Sequence, residues 1–345
     1  MMKTISPYQH EGGRLLPTLY AFLALFIVFH HGNTDALAAG RKPGQEKTIA
    51  HVILEMEKPL GAGESHRIYL DGFLARARET IKAGPLSDVG EAAGILGAIH
   101  SFLQGEGFRF KANYLLFQGI DRKSMDCDNF CALYIAIGET IGIPLVPVYA
   151  PNHSFIRLYF EDGSYMNWEA TEGKSLPDSY YRQNLKIEES SLRQGVYMKT
   201  LSRKEFIGVE YNNMGAYMMT TGMFRDAIPL FNSAIGLYPS FSSAYHNRGS
   251  SRYATGGLDD ALKDLLIAKR LDPGRSSTRN TLGDIYFDRK KYDLAIEEYL
   301  ESIRLDPCHY VPYRSLGQIM KIRGDESGAL EWMRKSEEAK KKNCY

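Results

Sequence analysis

The chain carries almost no surplus of charge of either sign. Its 345 residues include 42 Lys and Arg against 41 Asp and Glu, which gives a formal net charge of +1. Proteins that bind nucleic acid through electrostatics usually carry a basic surplus. The composition therefore gives no reason to expect nucleic acid as a partner.

Cysteine is also scarce. Four cysteines in 345 residues are too few for a fold held together mainly by disulfides. Cys308 and Cys344 both lie near the C-terminus, and an oxidising compartment would allow a bridge between them. Cys127 and Cys131 are four residues apart on a stretch that predicts a helix, which does not suit a bridge between these two.

Two motifs that mark large enzyme classes are missing. The sequence contains no Gly-rich phosphate loop of the Walker type and no G-x-S-x-G serine elbow. We therefore predict neither a phosphate-loop nucleotide site nor a serine hydrolase. We expect no cofactor and no metal.

The apolar run that is long enough to suggest targeting lies at the N-terminus. Lys3 and Arg14 precede a largely apolar stretch from Leu15 to Phe29, and an Ala-Leu-Ala sequence ending at Ala38 follows it. This order is typical of a secretory signal peptide, and the run is shorter than the ~20 residues that a membrane span needs. We predict a signal peptide over residues 1–38 and an exported protein, periplasmic or secreted. An uncleaved membrane anchor is the alternative.

Three residue types recur every 34 residues in the C-terminal third. Small residues allow two antiparallel helices to approach closely, and proline ends a helix because it has no backbone N–H. The recurring residues are Gly215, Gly249, Gly283 and Gly317; Ala227, Ala261, Ala295 and Ala329; and Pro239, Pro273 and Pro307.

These residues resemble the tetratricopeptide repeat (TPR). Leu282-Gly283-Asp-Ile-Tyr286 and Ala227-x3-Phe231 fit its pattern. The resemblance implies about four helix pairs over residues 208–345, which stack into an all-α superhelix with a groove for a protein or peptide partner. Candidate groove residues are polar side chains of the first helix of each pair: Asn212, Asn213, Asn247, Arg248, Asn280 and Arg314.

The N-terminal half predicts helices followed by a helix–strand–strand–strand segment. Apolar residues at helical spacing run from residue 48 to 102. Residues 124–137 predict a helix that Ser124 or Asp126 caps, and strands are predicted over 145–149, 151–159 and 165–171, the last two joined by a hairpin turn. Asn167 and Glu169 are two residues apart, so they share one face of their strand.

The order of a Cys at a helix start, a His on a strand and an acid on the next strand resembles the transglutaminase-like superfamily of papain-type folds. Asp126-Cys127, Pro151-Asn152-His153 and Asn167-Trp-Glu169 carry the likeness, which is strongest for the SirB1-related branch. It implies an α+β domain over residues 41–185 and a connector over 186–207.

The resemblance also implies a site. Cys127 is the expected nucleophile and His153 the general base, and Glu169 or Asn167 is expected to orient the imidazole. The implied function is an exported thiol-dependent amide hydrolase or acyl transferase, either a protease or a transamidase, with repeats that dock a protein.

Four points stay open from the sequence. The start of a helix favours a thiolate at Cys127, whereas Asp126 and Asp128 on either side raise its pKa. The alternative function is a catalytically inactive fold that acts with the repeats as a protein-binding scaffold. Zinc bound by Cys127, Cys131 and His153 is a further alternative, although Cys-x3-Cys within one helix lacks the usual ligand spacing. Asn113 or Gln118 is a candidate second oxyanion donor.

Overall fold

The structure is a computed structural model that describes residues 47–84 and 86–341. These residues belong to two compact units. Unit 1 contains the chain up to Ile187, Tyr197–Met223 and Gly236–Pro239, and unit 2 contains Glu188–Val196, Phe224–Ile235 and the chain from Ser240 onward. Within the described residues, no helix has the length and apolar character that crossing a membrane requires. The predicted signal peptide lies outside them.

The secondary structure is mainly helical, with short strands in the first part of the chain. The helices are α1 (Ile49–Met56), α2 (Glu64–Thr80), α3 (Val89–Gly105), α4 (Leu116–Arg122), α5 (Cys127–Ile141), α6 (Asp178–Asn184), α7 (Glu189–Arg193), α8 (Arg203–Thr220), α9 (Phe224–Leu237), α10 (Ser242–Ala254), α11 (Leu258–Leu271), α12 (Ser276–Asp288), α13 (Tyr292–Leu305), α14 (Tyr310–Ile322) and α15 (Glu326–Lys341). The strands are β1 (Arg109–Phe110), β2 (Ser124–Met125), β3 (Leu145–Ala150), β4 (His153–Tyr159), β5 (Tyr165–Glu169), β6 (Lys174–Ser175) and β7 (Lys199–Thr200).

Unit 1 contains a five-stranded antiparallel sheet. Its strand order is β6-β5-β4-β3-β7, and β1 pairs separately with β2. The hairpin between β4 and β5 turns at Gly163, whose φ of 83° is unfavourable for other residues. In the register, Arg157 lies opposite Asn167 and Ile156 opposite Trp168. This pairing places the first residue of β4, His153, diagonally across from the last residue of β5, Glu169.

Helix α5 begins where the sequence predicts a polar cap. The Asp126 side chain accepts a hydrogen bond from the Asn129 backbone N–H at 2.9 Å, so Asp126 rather than Ser124 is the N-cap. The helix ends at Gly142, which has a left-handed conformation. Its residues from Asn129 to Gly138 are buried, because α5 packs against β3 and β4. This packing fixes Cys127 as the first residue of a buried helix.

Unit 2 contains the antiparallel helix pairs α10–α11, α12–α13 and α14–α15. The recurring glycines lie where the two helices of a pair approach most closely. A Cβ at Gly249 would lie 2.9 Å from Cγ of Leu265, and one at Gly283 would lie 2.5 Å from the ring of Tyr299. The predicted role of the 34-residue glycine period is therefore confirmed.

Helix α8, which the sequence assigns to the first repeat, belongs to unit 1. Asn212 and Asn213 on this helix are buried, and the Asn213 side chain donates to Oδ2 of Asp128 at 3.0 Å. The prediction that these two residues line the repeat groove is wrong, because α8 turns them into the core of unit 1.

Cys308 is disulfide-bonded. Cys344, with which the sequence would allow a bridge in an oxidising compartment, lies outside the described residues. Cys127 and Cys131 are both free thiols.

Candidate thiol site and repeat surface

His153 and Glu169 form a close pair at one end of the sheet. Nε2 of the imidazole lies 2.7 Å from Oε2 of Glu169. Glu169 itself is 3% exposed. The Thr171 hydroxyl donates to Oε1 at 2.6 Å, and the Tyr181 hydroxyl donates to Oε2 at 3.3 Å. Burial by itself would raise the pKa of Glu169, but the hydrogen bonds and the charge of His153 outweigh it and lower that pKa.

Asn167 takes part in a different network. It accepts a hydrogen bond from Nε of Arg157 at 2.8 Å, and it donates to Oδ1 of Asp178 at 2.7 Å. Both of its polar groups are therefore committed away from His153. Of the two candidates for orienting the imidazole, the structure brings Glu169 to the ring and does not bring Asn167.

Cys127 lies beside the start of β4. The backbone N–H of Ser154 donates to its sulfur, which lowers the thiol pKa. Burial has the largest effect, and the nearby Asp128 and Asp126 add to it, so the pKa of Cys127 lies well above its ordinary value. Cys131, one turn further along α5, is fully buried, and burial also raises its pKa. At neutral pH the Cys127 sulfur is thus a thiol rather than a thiolate.

Glu169 engages one of the two imidazole nitrogens of His153. Because Glu169 holds Nε2, Nδ1 is the ring nitrogen that remains to accept a proton. The sulfur is fixed by the first turn of α5 and by the Ser154 amide, which belongs to the residue after His153. The structure therefore brings Cys127, His153 and Glu169 to one end of the sheet.

Buried carboxyl groups surround the start of α5. Burial raises the pKa of Glu57 to about 8, although it accepts hydrogen bonds from the backbone N–H groups of Leu116 and Phe117 at 2.7 and 2.9 Å. Glu210 on α8 is 1% exposed, and its pKa is raised by burial and by the charges of Asp128, Asp126 and Glu57. We call Glu57, Asp126, Asp128 and Glu210 the acid cluster.

Sequence reasoning found the flanking aspartates but missed the rest of this cluster. Glu57, the residue directly after α1, and Glu210 on α8 are both remote in sequence from α5. The sequence signal that could have pointed to Glu57 is its position directly after an apolar helical stretch, Ile53 to Met56. Tyr181, which supports Glu169, was missed for the same reason, since it lies on α6.

Two other expectations about the site have outcomes. Asn113 does not offer an oxyanion donor, because its amide nitrogen donates to the carbonyls of Leu115 and Ser124 at 3.2 and 3.3 Å. Among residues 47–84 and 86–341, no group of three or more His, Cys, Asp or Glu side chains is arranged to hold a metal ion. The zinc alternative therefore gains no support.

The candidate groove residues of unit 2 differ in how they are held. Arg248 donates to both oxygens of Asp264 at 2.8 and 2.7 Å, and its side chain is 15% exposed. Asn280 is 8% exposed and donates to Asp284 at 3.1 Å. Arg314 on α14 is exposed and Asn247 on α10 is half-buried. Arg248 and Asn280 thus contribute to packing within unit 2, whereas Arg314 faces solvent.

Comparisons with known proteins agree on the repeats. Residues 219–276 and 246–308 match the family model described as tetratricopeptide repeat. No curated protein matches the chain.

Similar solved structures include "Crystal structure of MamA", at 24% identity over 39% of this chain and 79% of that chain, with a TM-score of 0.37. Residues 41 to the end of MamA from Desulfovibrio magneticus RS-1 are 20% identical over 40% of this chain and 78% of that chain, with a TM-score of 0.36. A further match is the APC/C hetero-tetramer Cut9–Hcn1, at 21% identity over 39% of this chain and 26% of that chain, with a TM-score of 0.37. Together with the helix pairs, the family match identifies residues 219–308 as tetratricopeptide repeats.

Proposed function

We propose that this chain is a protein-binding scaffold, and that its repeats hold a segment of a partner protein along the first helices of the pairs. The match of residues 219–308 to the tetratricopeptide repeat supports this function. The first helices α10, α12 and α14 lie next to one another, so their solvent-facing side chains form one continuous surface. We call this surface the groove.

The exposed polar side chains of α12 and α14 are the expected contacts. Asp288, Arg314, Gln318 and Lys321 are exposed, and they offer charges of both signs within two neighbouring helices. A partner segment with acidic and basic side chains would satisfy them. Such polar contacts contribute to specificity more than to affinity.

Site-specific photo-crosslinking tests this function. A photoreactive amino acid in place of Gln318 should capture a discrete partner from cells that make the full chain. The same amino acid in place of Lys263, whose side chain on α11 is 73% exposed, is the matched control. Equal capture at both positions would contradict binding in the groove.

A second function, thiol-dependent acyl transfer, is favoured by one observation. The pair of His153 and Glu169, 2.7 Å apart, lies beside a free thiol at a helix start. This set supports the resemblance to transglutaminase-like enzymes. The raised pKa of Cys127 argues for the scaffold instead, because an unassisted thiol is a poor nucleophile.

This second function would proceed through a thioester on Cys127. His153 would take the thiol proton on Nδ1 while Glu169 stabilises the resulting imidazolium through Nε2. The sulfur would then attack an amide carbonyl carbon, and the imidazolium would protonate the leaving amine. Water or another amine would release the acyl group from the thioester.

Alkylation kinetics separate the two functions. In a Cys131→Ser background, the iodoacetamide rate at Cys127 is measured from pH 5 to 10, with and without His153→Ala. If Cys127 is catalytic, its alkylation rate should show a reactive phase below pH 7 that disappears in His153→Ala. A scaffold predicts one raised thiol pKa and no effect of His153. Cys127→Ala provides the blank for both measurements.

A further inference from the structure

The last helix of unit 2 exposes an apolar surface. Leu330 on α15 is 72% exposed and Met333 is 38% exposed, whereas their neighbour Ala329 is 6% exposed. In stacks of this kind each repeat buries its apolar face against a neighbouring repeat. The exposure of two large apolar side chains, three residues apart on one helix, therefore needs an explanation.

The 34-residue period shows what these positions do elsewhere in the molecule. Leu330 corresponds to Ile296 on α13 and to Leu262 on α11. Ile296 packs against the cluster that contains Leu316 and Ile319 of α14. Leu262 packs in the same way against the cluster that contains Leu282 and Ile285 of α12.

The other positions of this surface follow the same rule. Met333 corresponds to Tyr299 and Leu265, and both of these residues are buried in the same two clusters. In each case the covering helix contributes two aliphatic side chains at positions i and i+3. The surface formed by Ala329, Leu330 and Met333 thus continues a packing interface that is used twice within unit 2. We call it the stacking surface.

We propose that the stacking surface binds an amphipathic α-helix of another protein, one that presents two branched aliphatic side chains three residues apart. The occupant is defined by the internal interfaces, where Leu282 with Ile285 and Leu316 with Ile319 fill this role. The groove takes no part in this binding. A partner could therefore engage the repeats at two separate places.

Charge on α15 argues against a second copy of the chain as the occupant. Glu338 on this helix is paired with Arg334. Glu326 lies toward one end of the exposed stripe and Glu337 toward the other. An antiparallel pairing of two α15 helices centred on Leu330 and Met333 would bring these carboxylates toward one another. Like charges at close range weaken such a pairing.

A helical probe tests the surface directly. The probe is a fluorescent peptide with the sequence of residues 310–322, held helical by a side-chain bridge on its polar side. Inside the molecule this helix covers the equivalent surface of the preceding repeat. The control peptide carries Asp in place of Leu316 and Ile319.

We expect the probe to bind the full chain and the control peptide to bind at least tenfold more weakly. Leu330→Asp should weaken probe binding at least tenfold. Leu300→Asp, at a position that is 44% exposed on α13, should leave it unchanged. Circular dichroism should match for all three proteins, because both leucines already face solvent.

Two results would overturn the proposal. The first is a failed binding test: either the probe does not bind the wild-type chain, or Leu330→Asp and Leu300→Asp weaken probe binding equally. The second is a concentration-dependent dimer in sedimentation experiments that Leu330→Asp abolishes, because it would make a second copy the occupant. If crosslinking at Gln318 fails while probe binding is intact, only the proposal that the groove binds a partner is contradicted.

Discussion

At the scale of single residues, the environment of Cys127 is controlled by its neighbours more than by its helix. The helix start and the Ser154 amide favour the thiolate, but burial, Asp128 and Asp126 together outweigh them. Asp128 is the largest charged contribution. Its removal is therefore the most direct way to change the reactivity of the thiol.

We expect Asp128→Asn to lower the pKa of Cys127 and to raise its alkylation rate at pH 7.5 several-fold. The reason is the loss of a nearby negative charge that disfavours the thiolate. The measurement is the iodoacetamide rate in a Cys131→Ser background. Asp162→Asn, in the exposed β4–β5 hairpin, should leave the rate unchanged, and an unchanged rate in Asp128→Asn would refute the electrostatic explanation.

A second residue-scale feature lies in the turns between paired helices. Gly256 and Gly324 have φ values of 88° and 80°, and Lys290, at the equivalent position of the middle pair, has a φ of 57°. A side chain in this left-handed region is strained, whereas glycine is not. The turn between α12 and α13 therefore contains backbone strain at Lys290 that a substitution can remove.

Lys290→Gly should stabilise unit 2 by about 1 kcal/mol, because it removes that strain. Urea unfolding can be followed by the fluorescence of Trp332 in a Trp168→Phe background, since the chain has two tryptophans. Gly256→Ala should instead lower the stability of unit 2. A loss of stability in Lys290→Gly would show that contacts of the lysine side chain exceed the backbone strain.

At the scale of elements, one buried carboxylate holds the helices of the α10–α11 pair together. The Asp264 side chain on α11 is 3% exposed and accepts hydrogen bonds from Arg248 and from Arg252 on α10. A buried ion pair is costly to break, because the remaining charges lose their partner. Four residues earlier on the same helix, the Asp260 side chain is 60% exposed.

Asp264→Ala should destabilise unit 2 by about 3 kcal/mol, since two partly buried arginines would be left without their carboxylate. Asp260→Ala should change stability by less than about 0.5 kcal/mol, because a surface ion pair contributes little. Both are measured by urea unfolding with Trp332 as the probe. Similar effects of the two substitutions would refute the role of burial.

At the scale of the whole molecule, the acid cluster should make the stability of unit 1 depend on pH. Burial raises the pKa of Glu57 in the folded state to about 8, and those of Asp126 and Glu210 are raised as well. The folded state therefore binds more protons than the unfolded state between roughly pH 4.5 and 8. The stability that these groups contribute is fully present below that window and is lost as the pH rises through it.

Glu57→Gln should flatten this dependence. Each pKa unit of difference between the folded and unfolded states corresponds to about 1.4 kcal/mol of stability. Between pH 5 and 8 the wild type should therefore lose several kcal/mol more stability than the variant. Urea unfolding followed by Trp168 in a Trp332→Phe background measures it at each pH. Parallel pH curves for wild type and variant would show that Glu57 titrates normally when folded.

The sequence alone determined the local features. The 34-residue period of Gly249 and Gly283 predicts repeated close helix crossings, and the paired helices do approach closely at both glycines. The polar cap before Cys127 and the alternation along β4 and β5 likewise predicted α5 and these strands, with ends that lie within about four residues of the observed ones. Capping, turn geometry and face alternation depend on neighbours within a few residues, and these can be read from the chain.

Only the tertiary structure decided which distant residues meet. It chose Glu169 over Asn167 for His153, turned Asn213 toward Asp128 instead of a groove, and brought Glu57 and Glu210 close to Asp126 and Asp128. It also left Leu330 uncovered, although its equivalents are packed. The physical reason is that burial and charge proximity depend on how separate elements pack, and these determine the pKa of a group and the partner of a surface.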